Sequence, residues 1–244
     1  MSNLSRREFL TAAALGAATF GASATFGATQ KTSINQAATK REGFYVSRID
    51  DAIFTRIKGK SFKDNCPLAL EDLRYLHLLH KDLSGATKEG EMICNTYIAA
   101  DLIDIFYKLY EANYPIEKIR LIDEYGADDE TSMRDNNSSC FNFRFISHTT
   151  KISKHGLGLA VDINTLYNPY VKYTDKGRVL EPATAEKYLD RAANFPYKID
   201  KNSLCYKLFK EHGFEWGGEW QSCKDYQHFE LPDAIVKILY PNNG

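Results

Sequence analysis

The chain of 244 residues lacks an excess of charge of either sign. Its 31 Lys+Arg stand against 32 Asp+Glu, and that balance excludes a strongly basic nucleic-acid binder. Cysteine is sparse: there are five, an odd number, and no Cys-x-x-Cys spacing occurs. A disulfide-stapled miniprotein and a zinc ribbon are thereby excluded, and most of the five read as small buried hydrophobes. No apolar run after the N-terminal segment approaches the ~20 residues that cross a bilayer. No repeat recurs at a period of about 20–50 residues. What is present is a globular composition: 43% hydrophobic residues, with 15 Tyr and 14 Phe, can fill one sizeable core.

The N-terminus reads differently from the rest. Ser5-Arg6-Arg7-Glu8-Phe9-Leu10 precedes a run rich in Ala, Gly and Thr, and no charge appears between Glu8 and Lys31. The run is mildly apolar and carries Gly16, Gly21 and Gly27, so it suits a membrane anchor poorly. The paired arginines resemble a twin-arginine export signal, and Ala22-Ser23-Ala24 fits a small-x-small cleavage site. The expectation is a signal peptide over 1–24, a linker over 25–43 and one domain over 44–244. The twin-arginine export machinery would then deliver the protein to the periplasm or cell envelope, with no stable membrane anchor once the signal is removed.

Hydrophobic periodicity predicts mixed elements. Strands are expected at Leu73–Leu79, where a Leu-rich helix is the alternative, and at Glu91–Thr96, Lys118–Asp123, Asn142–Ser147, Leu159–Asn164 and Tyr226–Leu231. Helices are expected at Tyr97–Tyr110, Ala183–Ala193, Ser203–His212 and Asp233–Leu239, the last capped by Asp233. Residues 128–139 read as polar turn. Helices and strands mix without βαβ regularity, which argues an α+β fold with a small antiparallel sheet.

Two short segments carry the chemistry. The first is Ser153-Lys154-His155-Gly156-Leu157-Gly158-Leu159-Ala160-Val161-Asp162. His155 lies in a Gly-rich turn that leads into a strand, and Asp162 leaves that strand on the side away from Val161 and Ile163. A carboxylate there is costly unless paired or metal-bound. The second is Trp216-Gly217-Gly218-Glu219-Trp220 followed by Asp225-Tyr226-Gln227-His228-Phe229-Glu230. Two imidazoles, His155 and His228, with the Asp162 carboxylate make a Zn2+ ligand set that leaves a fourth tetrahedral position for water. Asp225 is the carboxylate placed to carry the proton.

Together these segments resemble the zinc D-Ala-D-Ala carboxypeptidase and L-Ala-D-Glu endopeptidase family. The match is at Ser153, His155, Gly158, Ala160 and Asp162, and again at Trp216, Gly217, Gly218, Trp220, Asp225, His228, Phe229 and Glu230. The resemblance implies a small α+β fold of the Hedgehog/DD-peptidase type, with helices packed on one side of a sheet that carries a zinc site. It implies hydrolysis of peptidoglycan stem peptides next to a D-amino acid. His155, Asp162 and His228 are then the metal ligands, Asp225 the catalytic carboxylate and Ser153 a site-lining residue. Many members carry an Arg after an upstream Gly-Tyr pair; here Asp123-Glu124-Tyr125-Gly126 has none. Arg144 is the expected substitute, with Arg134 the alternative. Trp220, Tyr167 and Tyr170 are candidates for the substrate groove, and His148 is a looser one. A zinc-containing module that binds wall peptides without cutting them is the competing expectation.

Overall fold

The computed structural model of the chain describes residues 41–146 and 149–243. The expected signal peptide, most of the linker, and His148 lie outside the described residues. The described part begins with a short strand, β1 (Tyr45–Ser47), and a helix, α1 (Asp51–Ile57). The Asp50 carboxylate caps α1 by accepting from the Ile53 N–H at 2.8 Å.

The Leu-rich run is a strand, and a longer one than the apolar residues alone indicate. β2 (Leu73–Lys81) pairs antiparallel with β3 (Thr87–Asn95) over nine residues, from Leu73 opposite Asn95 to Lys81 opposite Thr87. The Asp82 carboxylate closes the turn between them by accepting from the Ser84 and Ala86 N–H groups. β1 adds to the free edge of β2. The predicted amphipathic helix follows as α2 (Ala99–Glu111). It buries Leu102, Ile105, Phe106 and Leu109, and packs on β2.

The next stretch departs from the sequence expectations. Only Lys118–Ile119 is a strand (β4); Ile122–Tyr125 is a 3-10 turn. Residues read as polar turn contain α3 (Asp129–Arg134), capped by the Asp128 carboxylate on the Thr131 N–H, and β5 (Asn137–Ser138), which runs parallel to β4. The polar capping residues mask a real helix. The expected strand at 142–147 is absent among its described residues. Phe143 is buried and Phe145 exposed, and the segment folds back on 151–153 through the Phe145–Ile152 bridge.

The Val161 strand is β6 (Ala160–Asp162), followed by a hairpin of β7 (Tyr170–Thr174) and β8 (Gly177–Glu181) that periodicity did not indicate. The expected helix at 183–193 reduces to a single 3-10 turn, Glu186–Tyr188. Then come α4 (Leu204–Glu211), capped by the Ser203 hydroxyl, β9 (Glu215–Trp216), β10 (Lys224–Asp225), β11 (His228–Glu230) and α5 (Asp233–Leu239). Asp233 does not cap α5: Pro232 holds that position and Asp233 binds Lys154 at 2.7 Å. The result is mixed α and β with several small sheets, antiparallel except for β4–β5. Central to the site is β6–β11–β9, while β10 joins the β7–β8 hairpin. No helix among the described residues is long and apolar enough to cross a membrane.

Candidate metal centre

The two motifs meet because β6 and β11 are antiparallel neighbours. In their register His228 lies opposite Asp162, Phe229 opposite Val161 and Glu230 opposite Ala160. The Asp162 backbone also pairs with Ser139 on its other side, N–H to carbonyl in both directions, at 2.9 and 3.0 Å. His155 comes from the turn that leads into β6. Gly158, at φ +66°, has a left-handed backbone, and a Cβ there would stand 2.7 Å from the Asn95 nitrogen. Only glycine lets this turn lie against the end of β3, where Gly158 O accepts the Asn95 N–H at 2.8 Å.

One ligand atom from each of His155, Asp162 and His228 lies within 4.8 Å of the other two. His155 Nε2 is 3.1 Å from His228 Nδ1 and 3.2 Å from Asp162 Oδ2; His228 Nδ1 is 3.0 Å from Asp162 Oδ1. A tetrahedral ion with bonds of about 2.0–2.1 Å would separate its ligands by about 3.3 Å. The spacing therefore fits such an ion.

The hydrogen bonds outside the cluster reinforce this. His155 Nδ1 lies 2.7 Å from the Cys140 carbonyl, and His228 Nε2 lies 3.0 Å from Glu230 Oε2. Each ring donates outward to an acceptor, so neutral rings turn bare lone pairs toward each other and toward a carboxylate. Only a proton or a cation placed between them relieves that arrangement.

The electrostatics agree. Burial alone raises the Asp162 carboxyl, but the His155 and His228 imidazoles outweigh it and hold the group well below the usual carboxylate range. Burial lowers His228, yet hydrogen bonds to Asp162 and Glu230 overcome it and push the imidazole up to about 10. Glu230 is itself gripped by Lys154 Nζ at 2.9 Å.

Asp225 stands apart from the ligand set. Its Oδ1 is buried with no hydrogen-bond partner, and burial foremost, with Asp162 adding, pushes its carboxyl up to about 7 against the pull of His228 and His155. Gly217 makes this placement possible: a Cβ at 217 would lie 2.6 Å from Asp225 O and 2.7 Å from Asp225 Cβ. Gly218 plays the same part for the Trp216 indole, which donates to Tyr226 O at 2.9 Å. The Gly pair between the two Trp residues is thus a clearance for the strand that carries Asp225 and for one Trp.

His155, Asp162, Asp225, His228 and Glu230 line one cleft of about 420 Å³, together with Arg144, Ser153, Tyr170 and Trp220. The Trp220 ring lies 5.3 Å from the His228 ring. Arg144 donates from Nε to Asp129 Oδ2 at 2.7 Å and from Nη1 to Ser153 Oγ at 2.8 Å. Ser153 Oγ also accepts the Gly156 N–H at 2.9 Å, so this hydroxyl fixes Arg144 and the metal-motif turn at once.

Two of the sequence candidates are not brought to the cleft. Arg134 pairs with Glu130 on the exposed face of α3, and Tyr167 packs on Tyr188 and Tyr197. The two motifs contain Glu230 and Lys154 without assigning either a role. Glu230 had a usable signal, since two residues after His228 on a strand is the same face. Gln227 carries no motif signal; it is buried, lines the cleft and has an unpartnered Oε1.

No solved structure matches the chain significantly. The family model described as D-alanyl-D-alanine carboxypeptidase matches residues 147–231, a segment that holds His155, Asp162, Asp225 and His228 but not Arg144, and over that segment the chain is similar to that family.

Proposed function

We propose that the protein is an exported zinc-dependent peptidase that hydrolyses peptidoglycan stem peptides next to a D-amino acid, as a D-Ala-D-Ala carboxypeptidase or an L-Ala-D-Glu endopeptidase. The observation that carries the reading is the convergence of His155 Nε2, Asp162 and His228 Nδ1 on one point. The family match supports a metallopeptidase of the cell wall, and the small antiparallel sheets suit a Hedgehog/DD-peptidase-like fold.

His155, Asp162 and His228 would hold the ion, which when bound supplies a Lewis acid and an acidified water. The chain's own groups do the rest. Asp225, buried and without a partner at Oδ1, takes a proton from the attacking water and returns it to the leaving nitrogen. Burial raises its carboxyl above the usual carboxylate range, which favours return of the proton as well as its uptake. Arg144, steadied by Asp129 and Ser153, presents positive charge to the carbonyl oxygen as it becomes an oxyanion. Trp220 and Ser153 bound the substrate cleft beside it.

Digestion of purified peptidoglycan, with mass analysis of the products with and without chelator, tests the reading. New amine termini that vanish on chelation support it. Wall fragments that bind but are never cut would make the protein a binding module instead.

A further inference from the structure

Lys154 belongs to the first motif and reaches Glu230 of the second, and the hydrolytic mechanism leaves it without a task. Its side chain is 12% exposed. The ammonium donates to three acceptors: Glu230 Oε1 at 2.9 Å, the Leu231 carbonyl at 2.8 Å and Asp233 Oδ1 at 2.7 Å. Three donors meet three acceptors, so the group is saturated. Burial works against its charge, but Glu230 and Asp233 more than compensate, and it stays protonated.

The acceptors belong to different parts of the molecule. Glu230 is the group to which the His228 Nε2–H donates, and so it fixes which ring nitrogen faces the ion. Leu231 O and Asp233 belong to the entry and first turn of α5. Lys154 itself is the residue before the ligand His155. One ammonium thus joins a ligand's neighbour, the carboxylate behind the other imidazole and the start of the C-terminal helix.

The charge balance points the same way. Asp162, Glu230 and Asp233 bring three carboxylates, and Lys154 supplies one positive charge. With Asp225 beside them the negative charge exceeds that of Lys154, so a dication between His155 and His228 would be held favourably. It would also polarise the His228 Nε2–H and tighten its hold on Glu230, and through Lys154 on the end of α5.

We infer that Lys154 is a positioning residue that couples ion binding at His155, Asp162 and His228 to the docking of helix α5. The inference rests on the metal-centre reading given above. Coupling of this kind is reciprocal: whatever the ion adds to helix docking, the docked helix returns to ion affinity.

The test uses the full chain and zinc ion alone. Zinc affinity is measured by competition with a chromogenic chelator, and amide hydrogen exchange is followed in residues 233–239 with and without zinc. In the parent protein, zinc slows exchange in α5. Lys154→Met weakens zinc binding about 10–100-fold, as loss of an outer partner typically does, and abolishes the zinc-dependent protection. Lys154→Arg restores part of both. Asp233→Asn, which removes the charge at the helix end and leaves the bonds to Glu230 and the Leu231 carbonyl, keeps most of the affinity and loses part of the protection. Unchanged affinity and unchanged protection in Lys154→Met overturn the inference and leave the metal centre standing. If Lys154→Met fails to fold, full zinc-dependent protection in Asp233→Asn overturns it. A parent protein that binds no zinc overturns the metal-centre reading, and the coupling with it.

Discussion

His228 lies directly across the β6–β11 ladder from Asp162, and its Nδ1 is 3.0 Å from the Asp162 carboxylate. In the metal-free chain that contact, with Glu230 behind the ring, keeps His228 protonated up to about 10. The sign follows. The proton's stabilisation of the fold is fully present below the ordinary imidazole range and is lost as pH rises through about 10. An ion that binds in that window must displace the proton. Zinc affinity should therefore rise with pH, about tenfold per unit for one proton released, and flatten near 10. Calorimetry in buffers of different ionisation enthalpy checks this: uptake near pH 7 should release a proton, and binding that releases none would contradict the arrangement.

Asp225 gives the second pH signature. Its carboxyl is raised, so it is neutral in mild acid and becomes a base only as pH rises towards about 7. A bound cation nearby favours the charged form, so the limb falls at or below that value. The kcat/KM for wall peptides should climb tenfold per pH unit in acid and then level. Asp225→Asn should remove that limb and cost about 10²–10⁴-fold in rate. Zinc content by metal analysis should stay at the parent level, because Asp225 is not among the three converging ligands.

Gly217→Ala should injure the site without touching a ligand. The new Cβ would stand 2.6 Å from the Asp225 carbonyl oxygen and 2.7 Å from its Cβ. Neither is the loose end of a flexible side chain, so β10 has to move. Overpacking of this sort costs about 1–3 kcal/mol. Thermal melting should show that loss, and turnover should fall by a larger factor than zinc affinity does.

The legible part of the molecule is the part where local pattern and chemistry coincide. Helix α2 shows its apolar stripe plainly, from Leu102 to Leu109, and the convergence of His155, Asp162 and His228 follows from residue types that are costly to bury unless paired. Where tertiary packing overrides local preference, the sequence misleads. Residues 142–146 alternate like a strand, but Arg144 is drawn to Asp129 and Ser153, and Phe143 enters the core while Phe145 does not. The 183–193 stretch has helical composition, yet Arg191 turns inward to the Tyr167, Asn168 and Ile199 oxygens, and one 3-10 turn is all that forms. The role of Lys154 depends on a cross-motif contact with Glu230 that no spacing within one motif reveals.

Ser153 separates two ways of lining a site. Its hydroxyl oxygen already accepts from Arg144 Nη1 and from the Gly156 N–H, so its work is to hold neighbours. Ser153→Ala leaves the buried Gly156 N–H unpaired, which costs about 1–3 kcal/mol, and frees one edge of the Arg144 guanidinium. Thermal stability should fall by that amount. Arg144 remains paired with Asp129 at 2.7 Å, so activity should drop less in Ser153→Ala than in Arg144→Ala. Arg144→Lys should recover little, since one ammonium cannot reach Asp129, Ser153 and a developing oxyanion as the planar fork does. Side-by-side kcat/KM values for the three variants decide it: a Ser153→Ala loss equal to that of Arg144→Ala would mean that the serine itself meets the substrate.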